Sequence, residues 1–134
     1  MNAKPRVVVI NDTEEILELF DDILSEMGCE VVLMSYAPDD LRRIENEKPD
    51  LVVIDFVLGG REFMGWQLLQ KLRMNRDTQE VPIIACTAAA QQVREQEGYL
   101  LEQGISVVLK PFNVEQLEGA VRKALPQLAS GDSG

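Results

Sequence analysis

At 134 residues the chain falls in the ~100–200-residue range of a single domain, and it has no room for a catalytic unit joined to a separate effector unit. Its 46% hydrophobic and 27% charged residues are ordinary globular composition, and at this length folding buries roughly two-thirds of the unfolded chain's surface. Thirteen Lys+Arg against 23 Asp+Glu give a net charge of −10, a field that repels phosphate backbones and anionic lipid, so neither direct nucleic-acid binding nor membrane association is expected. There is no histidine, which removes Ser-His and Cys-His nucleophile pairs together with the commonest zinc ligand. Cys29 and Cys86 lack metal-type spacing and read as small buried thiols. No apolar run approaches the ~20 residues of a membrane span, and MNAKPR lacks a signal peptide's apolar stretch, so a cytoplasmic location is expected.

The first strand is predicted over 6–10 and the second over 30–34. Between them TEEILELFDDILSEMG predicts a helix: Ile16, Phe20, Ile23, Leu24 and Met27 recur at helical spacing, Asp12 or Thr13 can cap it, and Gly28 can close it. A short helix over 39–46 stops before Pro49, and a third strand follows over 51–54. Leu68, Leu69 and Leu72 form the stripe of a helix over 66–74, ahead of a strand over 83–86. One helix is expected within 91–102, where polar first turns and Gly98 leave its limits undefined; the fifth strand covers 106–109. The last helix opens on Asn113 and Gln116, a capping-box pair, carries Leu117, Val121, Ala124 and Leu125 inward, and fails at Pro126. The domain is therefore expected over 1–126, with 127–134 a disordered tail or linker stub.

Apolar runs alternating with helical patterns are the mark of βαβ units around a parallel sheet buried on both faces. Five such units with right-handed crossovers predict an α/β, flavodoxin-like doubly wound five-stranded parallel sheet in the order 2-1-3-4-5 with five helices. Function in such folds sits beyond the carboxyl ends of the strands, which here carry Asn11 and Asp12, Ser35 and Tyr36, Asp55, Thr87, and Lys110. In that order the four ends bearing metal- or phosphate-active groups are contiguous, and the end without acid or base belongs to the edge strand. Each group alone also has an ordinary structural role: Asp12 can cap a helix, Thr87 can line a loop, and Lys110 can be a solvated charge before Pro111. Asp55 is harder to dismiss. It ends the apolar run LVVI, where an unpaired carboxylate is costly, so a cation or strong donors must stand nearby, and Lys110 and a divalent metal would supply them.

The segments VVVINDTEEILELF, LVVIDFVLGG, VPIIACTAAA and SVVLKPF, in that order, resemble the receiver domain of two-component response regulators, the CheY-like superfamily, over nearly the whole chain. The intervals of 43 residues from Asp12 to Asp55, 32 on to Thr87 and 23 on to Lys110 are similar to the family's. The resemblance implies phosphoryl transfer to Asp55 from the phosphohistidine of a histidine kinase or phosphotransfer protein, or from a small phosphodonor. It implies Mg²⁺ or Mn²⁺ held by Asp12, Asp55, the Val57 backbone carbonyl and, through water, Asn11. Thr87 would contact a phosphoryl oxygen, Lys110 would pair with the transferred group, and small Ala88 would leave the entrance open. A domain of this kind assists its own phosphorylation and dephosphorylation and turns over no separate substrate, so it is not expected to be an enzyme. Its output would pass to an unidentified protein partner, a homodimer being one form of that contact.

Three positions depart from the family's pattern. Asn11 stands where the family has a second acid, which lowers the expected metal affinity without abolishing it. Val107 stands where the family has its aromatic switch residue, so the usual ring exchange is lost. The loop FVLGGREFMG after Asp55 lacks the usual proline and is about two residues longer, with Arg61 either reaching a phosphoryl oxygen or solvated. Asn11 and Val107 keep a second reading open, a pseudo-receiver that works as an interaction module without phosphorylation; retention of Asp12, Asp55, Thr87 and Lys110 argues against it. A small phosphatase or flavodoxin-like cofactor protein is a third reading. It is disfavoured by the lack of a Gly/Ser/Thr-rich loop after the first strand and by only one Trp and two Tyr for flavin stacking.

Overall fold

The computed structural model describes residues 4–35, 42–55 and 64–126. Strands β1 (Arg6–Ile10), β2 (Glu30–Met34), β3 (Leu51–Ile54), β4 (Ile83–Thr87) and β5 (Ile105–Leu109) form one parallel sheet in the order β2-β1-β3-β4-β5. This is the flavodoxin-like doubly wound order expected from the alternation of elements. Helices α1 (Glu14–Glu26), α2 (Arg42–Asn46), α3 (Met64–Met74), α4 (Ala90–Glu95), α5 (Glu97–Glu102) and α6 (Val114–Ala124) connect and cover the strands. All four residues of β3 and all five of β4 are buried, without the inside-outside alternation of a half-exposed sheet, because helices cover both faces.

Period-2 geometry divides each central strand between two cores. Val7, Val9, Val53 and Ile84 face α1 and α6, meeting Leu17, Phe20, Leu24, Leu117 and Val121. Val8, Ile10, Val52, Ile54 and Ile83 face the other side, meeting Ile44 of α2, Leu68, Leu69 and Leu72 of α3 and Leu100 of α5. Each fully buried aliphatic side chain contributes about 1.5–3 kcal/mol of transfer free energy, and these two layers hold the strand ends in place.

The helix ends follow the sequence signals with one exchange of roles. At α6 the Gln116 N–H donates to Asn113 Oδ1 at 2.8 Å and the Asn113 N–H donates to Gln116 Oε1 at 2.9 Å, the expected capping box. After α1, Gly28 takes φ +91°, a left-handed conformation that favours glycine. Thr13 occupies the N-cap position of α1 but its side chain caps nothing. The Thr13 N–H instead donates to Asn11 Oδ1 at 2.9 Å, so the loop is fixed from within the preceding strand end.

The single helix expected within 91–102 is two helices, which makes six among the described residues where five were expected. They meet at Gln96, whose N–H is shared between Gln92 O at 3.0 Å and Val93 O at 3.2 Å. The polar turns explain the break: α4 has no buried residue to hold it in register, whereas α5 is anchored by Leu100. Gly98 lies inside α5 and does not cause the interruption. β4 runs one residue further than predicted, taking in Thr87, β5 begins one residue earlier, and α3 begins at Met64. Tyr36, the start of the helix expected over 39–46, and the expected tail 127–134 lie outside the described residues.

Two arginines fasten the amino ends of the strands. The Arg6 guanidinium donates to Glu47 O at 2.9 Å and Glu30 Oε1 at 2.8 Å, while the Arg6 N–H donates to Asp50 Oδ2 at 2.8 Å. Arg73, at the end of α3, donates to Gln103 O at 3.1 Å and to Thr78, Gln79 and Val81 carbonyls at 3.4, 3.1 and 2.6 Å. Buried Thr78 donates from its hydroxyl to Leu72 O at 2.6 Å.

Candidate functional site

The carboxyl ends of β1, β3, β4 and β5 are brought side by side by the sheet register. Ile10 pairs with Ile54 and Ile54 with Ala85, so Asn11 and Asp55 leave adjacent strands at one level. Thr87 pairs with Leu109, and the Lys110 N–H donates to Thr87 O at 2.9 Å, which carries Lys110 to the same edge. There the Lys110 ammonium lies 2.7 Å from Asp55 Oδ2. The cation demanded by a carboxylate at the end of an apolar strand is thus supplied from 55 residues away.

Asn11 is 2% exposed, Asp55 7% and Thr87 fully buried, so three of the six expected site residues are set into the sheet end. Asp12, next in the chain to Asn11, is exposed at the same edge and accepts from the Thr13 hydroxyl at 3.4 Å. Thr87 Oγ1 accepts the Ala89 N–H at 3.1 Å, tying the start of α4 to the site. Val57 and Arg61 lie outside the described residues.

Cys86 sits one residue before Thr87. Burial pushes its thiol up to about 12, with Lys110 pulling it down and Asp55 pushing it up. Burial, reinforced by Asp50, also raises the Cys29 thiol. Both cysteines are free and buried, as their spacing implied.

The edge offers carboxylate, amide and hydroxyl oxygens, a donor set that fits a hard divalent cation such as Mg²⁺ or Mn²⁺ and is poorly suited to softer metals. Among the described residues no group of three His, Cys, Asp or Glu side chains assembles; position 11, at the same edge, is an asparagine. Sequence reasoning did not foresee Phe112, whose ring stacks on Phe20 of α1 at 5.9 Å and 8°, securing the turn just after Lys110. Nor did it foresee the contact of Trp66 with Tyr99, at 5.3 Å and 57°. Neither has a local signal, since each joins residues distant in the chain.

A doubly wound sheet that gathers an aspartate–lysine pair, a buried threonine and a second carboxylate at one carboxyl edge defines a class of α/β domain whose chemistry lies at that edge. The family model described as the response regulator receiver domain matches residues 7–122, and the chain belongs to that family. It is 29% identical over 130 residues to the phosphate regulon transcriptional regulatory protein PhoB of Rhizobium meliloti (strain 1021), covering 94% of this chain and 56% of that protein. It is 32% identical over 125 residues to the probable transcriptional regulator ycf27 of Pyropia yezoensis, covering 92% of this chain and 49% of that one. The chain therefore spans about half the length of these curated relatives.

Solved structures share the fold. A CheY-like receiver domain protein of Methanospirillum hungatei JF-1 is 27% identical at TM-score 0.78, over 96% of this chain and 99% of that one. The chemotaxis response regulator CheY4 of Vibrio cholerae is 22% identical at TM-score 0.78, over 92% and 100%. The receiver domain of sensor histidine kinase PA1611 of Pseudomonas aeruginosa PAO1, with a magnesium ion coordinated in its active site cleft, is 22% identical at TM-score 0.75, over 92% and 99%. Among the described residues no helix is long and apolar enough to cross a membrane.

Proposed function

We propose that this receiver domain is a phosphorylatable switch in which Asp55 accepts a phosphoryl group from the phosphohistidine of a histidine kinase or phosphotransfer protein. The observation that carries the reading is the pairing of buried Asp55 with half-buried Lys110 at 2.7 Å, set at the junction of strand ends that also present Asn11, Asp12 and Thr87. A carboxylate oxygen of Asp55 attacks phosphorus, a new P–O bond forms, and the P–N bond breaks with its electron pair passing to the departing imidazole nitrogen. The Lys110 ammonium then pairs with an oxygen of the transferred group, and the Thr87 hydroxyl donates to another. Asp12, Asp55, the Val57 carbonyl and, through water, Asn11 would hold Mg²⁺ or Mn²⁺, which when bound supplies positive charge to the transferring phosphoryl oxygens. Magnesium in the active site cleft of the PA1611 receiver domain supports that assignment by analogy of fold.

Phosphorylation replaces the single negative charge of the Asp55 carboxylate with a phosphoryl group of about −1.5 to −2, a net gain of about −0.5 to −1 at the edge together with three new acceptor oxygens, and a protein partner with different affinity for the two states reads the change. Such a domain promotes its own modification and its reversal and turns over no separate substrate. The curated relatives of about twice this length are named transcriptional regulators, so output onto transcription through parts outside these 134 residues is the favoured route. The chain's own −10 charge disfavours direct contact with nucleic acid.

The test is intact-protein mass spectrometry after incubation with Mg²⁺ and acetyl phosphate. A single phosphoryl adduct is expected in the wild type and none in Asp55→Asn. A wild type that takes no adduct from acetyl phosphate or from any phosphorylated kinase would leave the pseudo-receiver as the reading of the fold.

A further inference from the structure

The switch reading needs a movable element between the Asp55 site and the outer surface. β5 does not offer one in its side chains: Val107 is β-branched, with restricted χ1 freedom, and packs half-buried against the second core. α4 does. It begins directly after the Thr87–Ala89 hydrogen bond, has six residues and no buried one, carries no side-chain cap, and is jointed to α5 at Gln96. Its inward contacts are the half-buried Ala89 and Val93. Beyond the joint, α5 is held by Leu100 in the core and by Tyr99, whose ring meets Trp66 in the first turn of α3 at 5.3 Å and 57°.

We propose that the Trp66–Tyr99 ring contact is a latch that keeps the α4–α5 segment in the position seen in the structure, so that filling the Asp55 site and opening the latch are coupled. This rests on the phosphoswitch reading. Drawing the Thr87 hydroxyl toward a group on Asp55 pulls on Ala89 through their hydrogen bond, and α4, with nothing buried, passes the pull through Gln96 to α5. Tilted aromatic pairs at this distance are attractive, and losing one shifts a two-state population by about 2- to 12-fold. By reciprocity, a variant without the latch takes up a phosphoryl mimic more tightly by the same factor.

Amide hydrogen exchange in the metal-free protein tests the latch itself. Tyr99→Leu should exchange at Val93 and Gln96 about 2- to 12-fold faster than the wild type, and Tyr99→Phe, which keeps the ring, should not. Titration with beryllofluoride in the presence of Mg²⁺ tests the coupling, with an affinity gain of the same size expected in Tyr99→Leu. Unchanged exchange in Tyr99→Leu overturns the latch. Faster exchange with unchanged beryllofluoride affinity overturns the coupling. A wild type that refuses beryllofluoride brings down the phosphoswitch reading and the coupling with it, while the exchange data still judge the latch. Should Tyr99→Leu fail to fold, Trp66→Leu removes the other ring and is held to the same outcomes.

Discussion

Replacing Asn11 by Asp restores a third carboxylate at the carboxyl edge, and its effect should have opposite signs with and without metal. Among the described site residues, Asp12 and Asp55 contribute two negative charges and Lys110 one positive, so the substitution takes the local sum from −1 to −2. Two unit charges 4 Å apart interact by about 1 kcal/mol in water, hence about 2 kcal/mol between a new carboxylate and a divalent ion, or about 30-fold in affinity, and by more at the lower dielectric of a buried strand end. Part of this is offset because position 11 is only 2% exposed and the new charge loses solvation. The net gain should be about tenfold. Without metal the same charge faces Asp55, and the variant should lose about 1–2 kcal/mol of stability. The Asp side chain can still accept the Thr13 N–H now received by Asn11 Oδ1 at 2.9 Å, so the loop itself need not change. Calorimetric titration with Mg²⁺ and Mn²⁺, beside urea unfolding with and without metal, reads both signs. Equal metal affinities in the two proteins would refute the assignment of position 11 to the metal's surroundings.

Lys110→Ala leaves the buried Asp55 carboxylate without its 2.7 Å partner and should cost about 1–3 kcal/mol, less than for a wholly buried pair because the Lys110 side chain is 24% exposed. The double variant Lys110→Ala/Asp55→Asn should recover most of that loss in urea unfolding, and additive losses would show that the pair does not interact. The Cys86 thiol, raised to about 12 when folded from an ordinary value near 9.0, contributes stability that is full below about pH 9 and lost as pH rises toward 12. Unfolding of Cys86→Ala against wild type across that range should show the wild type's extra decline, and parallel curves would count against it. Arg73→Met removes donors from four carbonyls and should lower stability by about 3 kcal/mol while leaving acyl-phosphate formation at Asp55 within a few fold; a loss below 1 kcal/mol would mean that water replaces the guanidinium.

The strands were legible because a sheet covered on both faces demands continuous apolar runs, and RVVVI, LVVI and IIACT satisfy nothing else so well. The gathering of the candidate residues was legible for the same reason: Asp55, Thr87 and Lys110 stand where such runs stop, and parallel order converts stopping points into neighbours. What escaped was set by tertiary contacts. The break at Gln96 depends on which side of a polar helix finds a core, and only Leu100 does. The role of Asn11 as the acceptor for Thr13 N–H, where Asp12 or Thr13 was expected to cap α1, depends on the angle at which β1 delivers the chain. Phe112 on Phe20, Trp66 on Tyr99 and Arg73 on the Gln103 carbonyl join positions that no periodicity links.

Arg6 and Arg73 both work at the end of the sheet opposite Asp55, gathering side chains and carbonyls from turns that carry none of the candidate chemistry. The domain is thus riveted at its base, away from the edge that carries the candidate site. A substitution at the carboxyl edge, such as one at position 11, leaves these ties untouched, so the edge can be altered while the chassis keeps its shape.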